Sequence, residues 1–196
     1  MKLTFSLSRK PAQWTDDDLV NGCKKNDSVA QKIVYERFSR KMYAVCLRYV
    51  NTNFEAEDLM MTGFMRIFES IGQYENKGSF EGWIRRIMVN EALGYLRKHK
   101  NMYVQSNIEN ETLPSDYSTN NEAFVADELL TLVQELPAGF RTVFNLYAIE
   151  GYTHKEIAAM LDISEGTSKS QLSRARVLLQ QRLEQLSGER IQRNSI

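Results

Sequence analysis

Residues Tyr152–Arg176 read YTHKEIAAMLDISEGTSKSQLSRAR, and this stretch decides how the rest of the chain is understood. Thr153 followed three residues later by Glu156 is a capping box, in which a hydroxyl and a carboxylate each satisfy an open backbone N–H at a helix start. The helix it opens carries Ile157, Ala158 and Leu161. Asp162, Ile163 and Ser164 then make a short polar break with one apolar anchor. In the second helix Leu172, Ala175 and Leu179 keep an apolar stripe, while Lys169, Ser170, Gln171, Ser173, Arg174 and Arg176 supply polar and cationic groups. Two short helices joined by a tight turn can set the second in a DNA major groove, where its side chains reach base edges. A helical hairpin with a solvated basic face has the same pattern, so this stretch alone leaves DNA binding open.

On its N-terminal side, Phe140, Val143, Phe144, Leu146 and Tyr147 form another helical stripe, with Pro137 suited to its first turn and Gly151 to its end. Phe124, Leu129, Leu132, Val133 and Leu136 hold helical spacing before it. Residues 101–122 differ: Asn, Ser, Thr and acidic residues dominate, Pro114 interrupts, and few apolar side chains occur. That composition predicts a flexible acidic linker. Before the linker, apolar stripes run from Ala30 through Phe38 to Val50, from Asp58 to Ile71, and from Trp83 to Leu96. Gly72 to Gly82 reads as a connecting loop. No segment alternates over strand length, so the expected fold class is all-α: two small helical domains, 14–100 and 123–188, joined by a tether at 101–122.

The 25 Lys and Arg residues balance 25 Asp and Glu, so net charge does not mark a polyanion binder. The distribution is uneven, and local patches set the field that a polyanion meets. From Gln105 to Glu135 seven acids occur with no Lys or Arg, whereas Arg85, Arg86, Arg97, Lys98 and Lys100 form one basic block and Lys169, Arg174, Arg176 and Arg182 another. The two cysteines, Cys23 and Cys46, lack metal-ligand spacing, which predicts reduced thiols. Met1 to Pro11 lacks a signal-peptide apolar run and no stretch approaches membrane-spanning length, so a cytoplasmic protein without direct membrane insertion is expected.

A second constellation lies between Tyr74 and Lys100. Tyr74, Phe80, Trp83 and Tyr95 are interleaved with Lys77, Arg85, Arg86, Arg97, Lys98 and Lys100, and Asn90 stands seven residues after Trp83. Aromatic faces can stack on unpaired bases, cations can follow phosphates, and a loop wall can hold an extruded base. Phe80 and Trp83 at helical spacing are more often core residues than base platforms, and core packing is the better reading for Trp83. Arg97 to Lys100 also suit a helix C-terminus.

With these motifs in place, the chain resembles the extracytoplasmic-function (ECF) group of RNA polymerase sigma factors of the sigma-70 family. Ala56-Glu57-Asp58-Leu59 with Phe64-Met65-Arg66-Ile67-Phe68 resembles the segment that docks on core polymerase. Gly78 through Asn90 resembles the segment that melts and reads the −10 element, and Tyr152–Ala158 with Gly166–Arg176 resembles the −35-reading helix-turn-helix. The resemblance implies a transcription initiation factor that binds core RNA polymerase and directs it to promoter DNA, without catalytic residues, metal or cofactor. It implies −35 contacts by Lys169, Ser170, Ser173 and Arg174, with Thr167 and Arg176 at phosphates. It implies −10 contacts by Asn76, Lys77, Ser79, Phe80, Arg86 and Asn90, with Trp83 supporting the loop. It implies core-polymerase contacts by Asp58, Leu59 and Met65, with Phe68 inside, and an anti-sigma factor, often membrane-anchored, as a further partner.

Four positions depart from the family pattern. Met61-Thr62 replaces Gln and an acid in the docking helix. Ser168 stands where Val is usual, implying altered packing, and Gln171 where a basic residue is usual, implying a lost phosphate contact and a weaker salt dependence. Two other classes compete. A stand-alone helix-turn-helix regulator has no need of the Tyr74–Lys100 block. An enzyme has little support, since His99 and His154 have no nucleophile or metal set in sequence around them and no glycine-rich phosphate loop occurs.

Overall fold

The computed structural model describes residues 14–99 and 129–193, with side chains to 186; Lys100 and the expected linker at 101–122 lie outside the described residues. All regular structure among the described residues is helical. In chain order it comprises α1 (Asp16–Lys24), α2 (Ser28–Leu47), α3 (Asn53–Ser70), a 3-10 turn (Ile71–Gln73), α4 (Phe80–Lys98), a helical stretch at 129–134, α5 (Ala138–Phe144), α6 (His154–Leu161) and α7 (Glu165–Arg193). Two compact units result: one runs to Cys46 and resumes over Phe54–Glu91, and the other takes Leu47–Asn53 together with the chain from Ala92 onward.

In the first unit, Thr15 and Asp18 form a capping box at α1, with the Asp18 N–H donating to Thr15 Oγ1 at 3.1 Å and the Thr15 N–H to Asp18 Oδ2 at 3.1 Å. The Asp27 carboxylate accepts from the Val29 N–H at 2.8 Å and so caps α2. Helix α2 buries Ala30, Ile33, Val34, Phe38, Met42, Val45 and Cys46, the three-and-four spacing of one apolar face. α1 meets it closely, since a Cβ added at Gly22 would lie 2.5 Å from the Ala30 Cβ. α3 buries Ala56, Leu59, Met60, Gly63, Phe64 and Ile67. Gly63 lets it approach α4, because a Cβ there would lie 2.3 Å from the Met88 sulfur. From α4, Phe80, Ile84, Met88 and Val89 complete this core.

The loop expected between Gly72 and Gly82 is shorter than the sequence implied. The 3-10 turn occupies its start, and Ser79 ends it by accepting from the Gly82 N–H at 3.1 Å, so that Phe80 already begins α4. Serine at an N-cap outweighs the weak helix propensity of Gly82.

In the second unit, Pro137 is the N-cap of α5 rather than a residue of its first turn. The helical path continues through a wider turn over Asn145–Ile149, where the Glu150 N–H reaches the Asn145 carbonyl at 2.9 Å, and Gly151 turns the chain at φ +80°. The core here consists of Leu132, Val133, Leu136, Val143, Leu146, Ile157, Leu172 and Ala175. Arg141 is 1% exposed and donates to the Gln134 carbonyl at 2.9 Å and the Tyr49 carbonyl at 3.2 Å, as well as to Asn51. Asn145 donates to the Arg48 carbonyl at 2.7 Å, and Arg48 pairs with Glu150 at 3.0 Å. These bonds join Leu47–Asn53 to the α5 region, replacing solvent for groups that would otherwise be buried unsatisfied.

Candidate nucleic-acid interface

The helix-turn-helix is built locally by caps. Thr153 Oγ1 accepts from the Glu156 N–H at 3.3 Å, and Glu156 accepts in return from the Thr153 N–H at 2.8 Å, so the capping box read from sequence is present. Asp162 ends α6 in the left-handed region at φ +54°, and the following Ile163 N–H closes onto the Ala158 carbonyl at 3.1 Å. Ser164 Oγ accepts from the Thr167 N–H at 2.9 Å and starts α7. A three-residue turn, Asp162 to Ser164, is thus held at both ends by hydrogen bonds.

On α7, Lys169, Ser170, Ser173, Arg174 and Arg176 are all exposed, and Thr167 is half-buried at the helix start. Lys169, Ser173 and Arg176 form one row and Ser170 and Arg174 the adjacent row, so the set covers one continuous polar face. Ser168, Leu172 and Ala175 are buried on the opposite side. Lys169 lies 3.9 Å from Glu165, a surface pairing too weak to withhold it from a phosphate.

Gln171 corrects one expectation. It is half-buried, and a Cβ added at Gly139 would lie 3.5 Å from its Nε2, so it faces α5 rather than the polar side. Its side chain therefore packs towards α5. Ser168 is fully buried, and its hydroxyl sits 2.9 Å from His154 Nδ1.

The loop before α4 has a different character. Phe80 is 1% exposed, with its ring 5.7 Å from Phe38, 5.3 Å from Tyr74 and 6.1 Å from Trp83. It is a core residue here, and the expectation that it offers a stacking face is corrected: an aromatic surrounded by three rings gains more from burial than from solvent. Trp83 is half-buried against the same cluster, behind the loop. The polar members of the expected set are exposed: Asn76, Lys77 and Ser79 in the loop, Arg86 and Asn90 one turn apart on α4. Tyr74 shapes the loop by donating its hydroxyl to the Gly78 carbonyl at 2.9 Å. Asn76 at φ +56° and Gly78 at φ +97° provide the reversals, and Asn76 Nδ2 donates to Asp17 at 3.3 Å. Burial, helped by the charges of Asp16 and Asp17, raises the Tyr74 phenol above its ordinary value and keeps it a donor.

Along α3, Asp58 and Met65 are exposed, but Leu59 is 3% exposed and packs in the core. Leu59 therefore cannot form part of an outer edge in this fold; it falls on the inward stripe with Ala56 and Gly63. Phe64 is buried and Phe68 half-buried, while Phe54, Met61 and Thr62 join Asp58 and Met65 outside. Met61-Thr62 is thus a surface departure.

Among the described residues no His, Cys, Asp and Glu cluster is arranged to hold a metal ion, and no helix is long and apolar enough to cross a membrane. Burial pushes the Cys23 thiol up to about 11, with Asp27 adding to the effect. Sequence reading missed the inward roles of Arg141, Asn145 and His154. For Arg141 the only signal is its place on the apolar side of α5, one turn before Asn145; for His154 it is the unusual Ser168, whose hydroxyl needs a partner.

Residues 34–102 match the Sigma-70 region 2 family, and residues 126–179 match Sigma-70, region 4. The chain is 27% identical over 186 residues to the ECF RNA polymerase sigma-E factor of Haemophilus influenzae, covering 89% of this chain and 98% of that one. It is 32% identical over 163 residues to the ECF RNA polymerase sigma factor SigE of Mycolicibacterium smegmatis, covering 78% of this chain and 61% of the relative. Among solved structures it is similar to the sigma factor RpoE in complex with the anti-sigma factor NepR from Bartonella quintana, at a TM-score of 0.51 and 22% identity, over 78% of this chain and 96% of that one.

Proposed function

The chain belongs to the ECF group of the sigma-70 family, and from that membership we propose how it grips a promoter at two points while bound to core RNA polymerase. As a promoter-recognising transcription initiation factor it needs a duplex reader and a reader of melted DNA. The duplex reader is α7, with Ser170, Ser173, Arg174 and Lys169 towards −35 base edges and Thr167 and Arg176 at phosphates. Arg174, exposed in mid-face, has the fork geometry for bidentate contact with a guanine. The reader of melted DNA is the rim formed by Asn76, Lys77, Ser79, Arg86 and Asn90, with the Tyr74–Phe80–Trp83 cluster as its support. The polymerase edge is Asp58 and Met65 on the outer face of α3, widened by the neighbouring Met61.

The observation that best supports this reading is the polar face of α7: five exposed polar and cationic side chains in two helical rows, backed by a buried stripe. The proposal assigns the polymerase and −10 functions to 14–100, the −35 function to 123–188 and a tether to 101–122, limits that differ from the two compact units, in which Leu47–Asn53 and the chain from Ala92 group with the second. A cognate anti-sigma factor is part of the proposal, as NepR is for its Bartonella relative. So are a cytoplasmic location and the lack of any catalytic step of its own.

Purified protein mixed with core RNA polymerase and assayed for initiation on a bacterial promoter library tests the proposal. Co-purification and promoter-selective initiation are expected. Failure to co-purify, together with tight operator binding by the protein alone, would replace it with a stand-alone regulator.

A further inference from the structure

We infer that His154, acting with Tyr147, is a positioning residue that sets the DNA-reading helix in register and presents Arg176 to the phosphate backbone. The inference rests on the reading of α7 as the −35 helix. Ser168 brings a hydroxyl into an otherwise apolar side of α7, where it is fully buried beside Leu172 and Ala175 in the helix stripe. A buried hydroxyl is stable only with a hydrogen-bond partner. His154 Nδ1 provides one at 2.9 Å, accepting from the hydroxyl or donating to it according to its tautomer. The same imidazole lies nearly parallel to the Tyr147 ring, 4.5 Å between centroids and 21° between planes. The Arg176 guanidinium carbon in turn sits 5.8 Å from the Tyr147 centroid.

Ser168 and Arg176 are two turns apart on α7, roughly 12 Å along the axis at the usual helical rise. The ring pair thus holds the helix at two separated points, one by a hydrogen bond and one by a cation against an aromatic face. Rotation of α7 about its axis breaks the first and slides the guanidinium off the second. The outward side chains of Ser170, Ser173 and Arg174 are fixed in direction by the same restraint. The Arg176 guanidinium, restrained beside the Tyr147 ring yet on an exposed residue, suits a phosphate contact made with less further ordering. His154 and Tyr147 act through α7 rather than on the DNA.

The test uses holoenzyme reconstituted with each variant, measuring affinity for a promoter with an intact −35 element and for one with that element scrambled, across a salt series. His154→Phe keeps a flat ring on Tyr147 and removes the bond; its Ser168 hydroxyl can turn back to its own helix, so folding is retained. Ser168→Ala removes the other partner. Each is expected to lower the intact-to-scrambled ratio about fivefold, and the double variant by about the same fivefold, because one bond is lost in all three. Tyr147→Leu is expected to reduce the salt slope by about one, as Arg176→Ala does. Losses that multiply in the double variant, or single variants with an unchanged ratio, would overturn the inference while leaving the −35 reading in place. A wild-type holoenzyme that does not distinguish the two promoters would overturn the −35 reading itself, and the inference with it.

Discussion

The polar face of α7 and the loop leading into α4 were both read from sequence as nucleic-acid surfaces, yet they are constructed in opposite ways. On α7 Lys169, Ser170, Ser173, Arg174 and Arg176 are polar and exposed, and the apolar residues between them are buried, so the face proposed to read duplex DNA is already formed. At the loop, the polar rim is exposed while the aromatic members are packed among themselves, Phe80 most deeply. A major groove is read by hydrogen-bonding groups on a rigid rod, which a capped helix offers from the start. Reading an extruded base needs a firm wall and polar groups, and under the proposed function the ring cluster would supply the first and the rim the second.

The sharpest way to break this contrast is Phe80→Ala. Removing a ring from a site with three aromatic neighbours is expected to cost the first unit about 3–5 kcal/mol of stability, read by urea denaturation. Stability close to wild type would mean that the ring is not part of the core, and Phe80 would return as a stacking candidate. Arg174→Ala should do the reverse. Denaturation and core-polymerase binding are expected to be unchanged, while promoter affinity that depends on the −35 element falls by about 1–3 kcal/mol. Equal loss of core binding would show that Arg174 is structural.

Smaller effects test the scaffolds. Thr153→Ala removes one half of a capping box and is expected to cost the second unit about 1 kcal/mol, visible as a lower thermal midpoint and little change in the first unit. Cys23 gives a pH signature confined to the first unit. Its folded-state thiol is pushed up to about 11, so its contribution to stability is full below the ordinary thiol range and is lost as pH rises towards 11. Urea midpoints measured at pH 8 and pH 10.5 should therefore fall further for the wild type than for Cys23→Ala. Parallel falls would place Cys23 in a solvent-like setting.

Much of this was legible in the chain because the signals are local. The Thr153–Glu156 box, the polar break at Asp162–Ser164 and the apolar spacing of α2 and α3 act between residues a few positions apart. Gly72 to Gly82 misled because a serine cap and a helix start look like a loop when they carry two glycines. Gln171 and Leu59 misled for another reason: one residue of rotation around a helix, about 100°, separates an outward side chain from an inward one, and a motif match does not resolve it.

By itself, the sequence determined a helical fold class, the Thr153–Glu156 cap and membership of a family, since hydrogen bonds within a turn and the 3.6-residue period are written in consecutive residues. Only tertiary structure decided which side chains are left to meet DNA and which are used to hold the fold. Phe80 and Leu59 went inside, Gln171 turned to Gly139, Arg141 found carbonyls from residues far away in the chain, and Ser168 met His154. Those choices depend on what lies opposite each residue when the helices pack, and burial rewards or penalises a side chain according to partners the local sequence does not name.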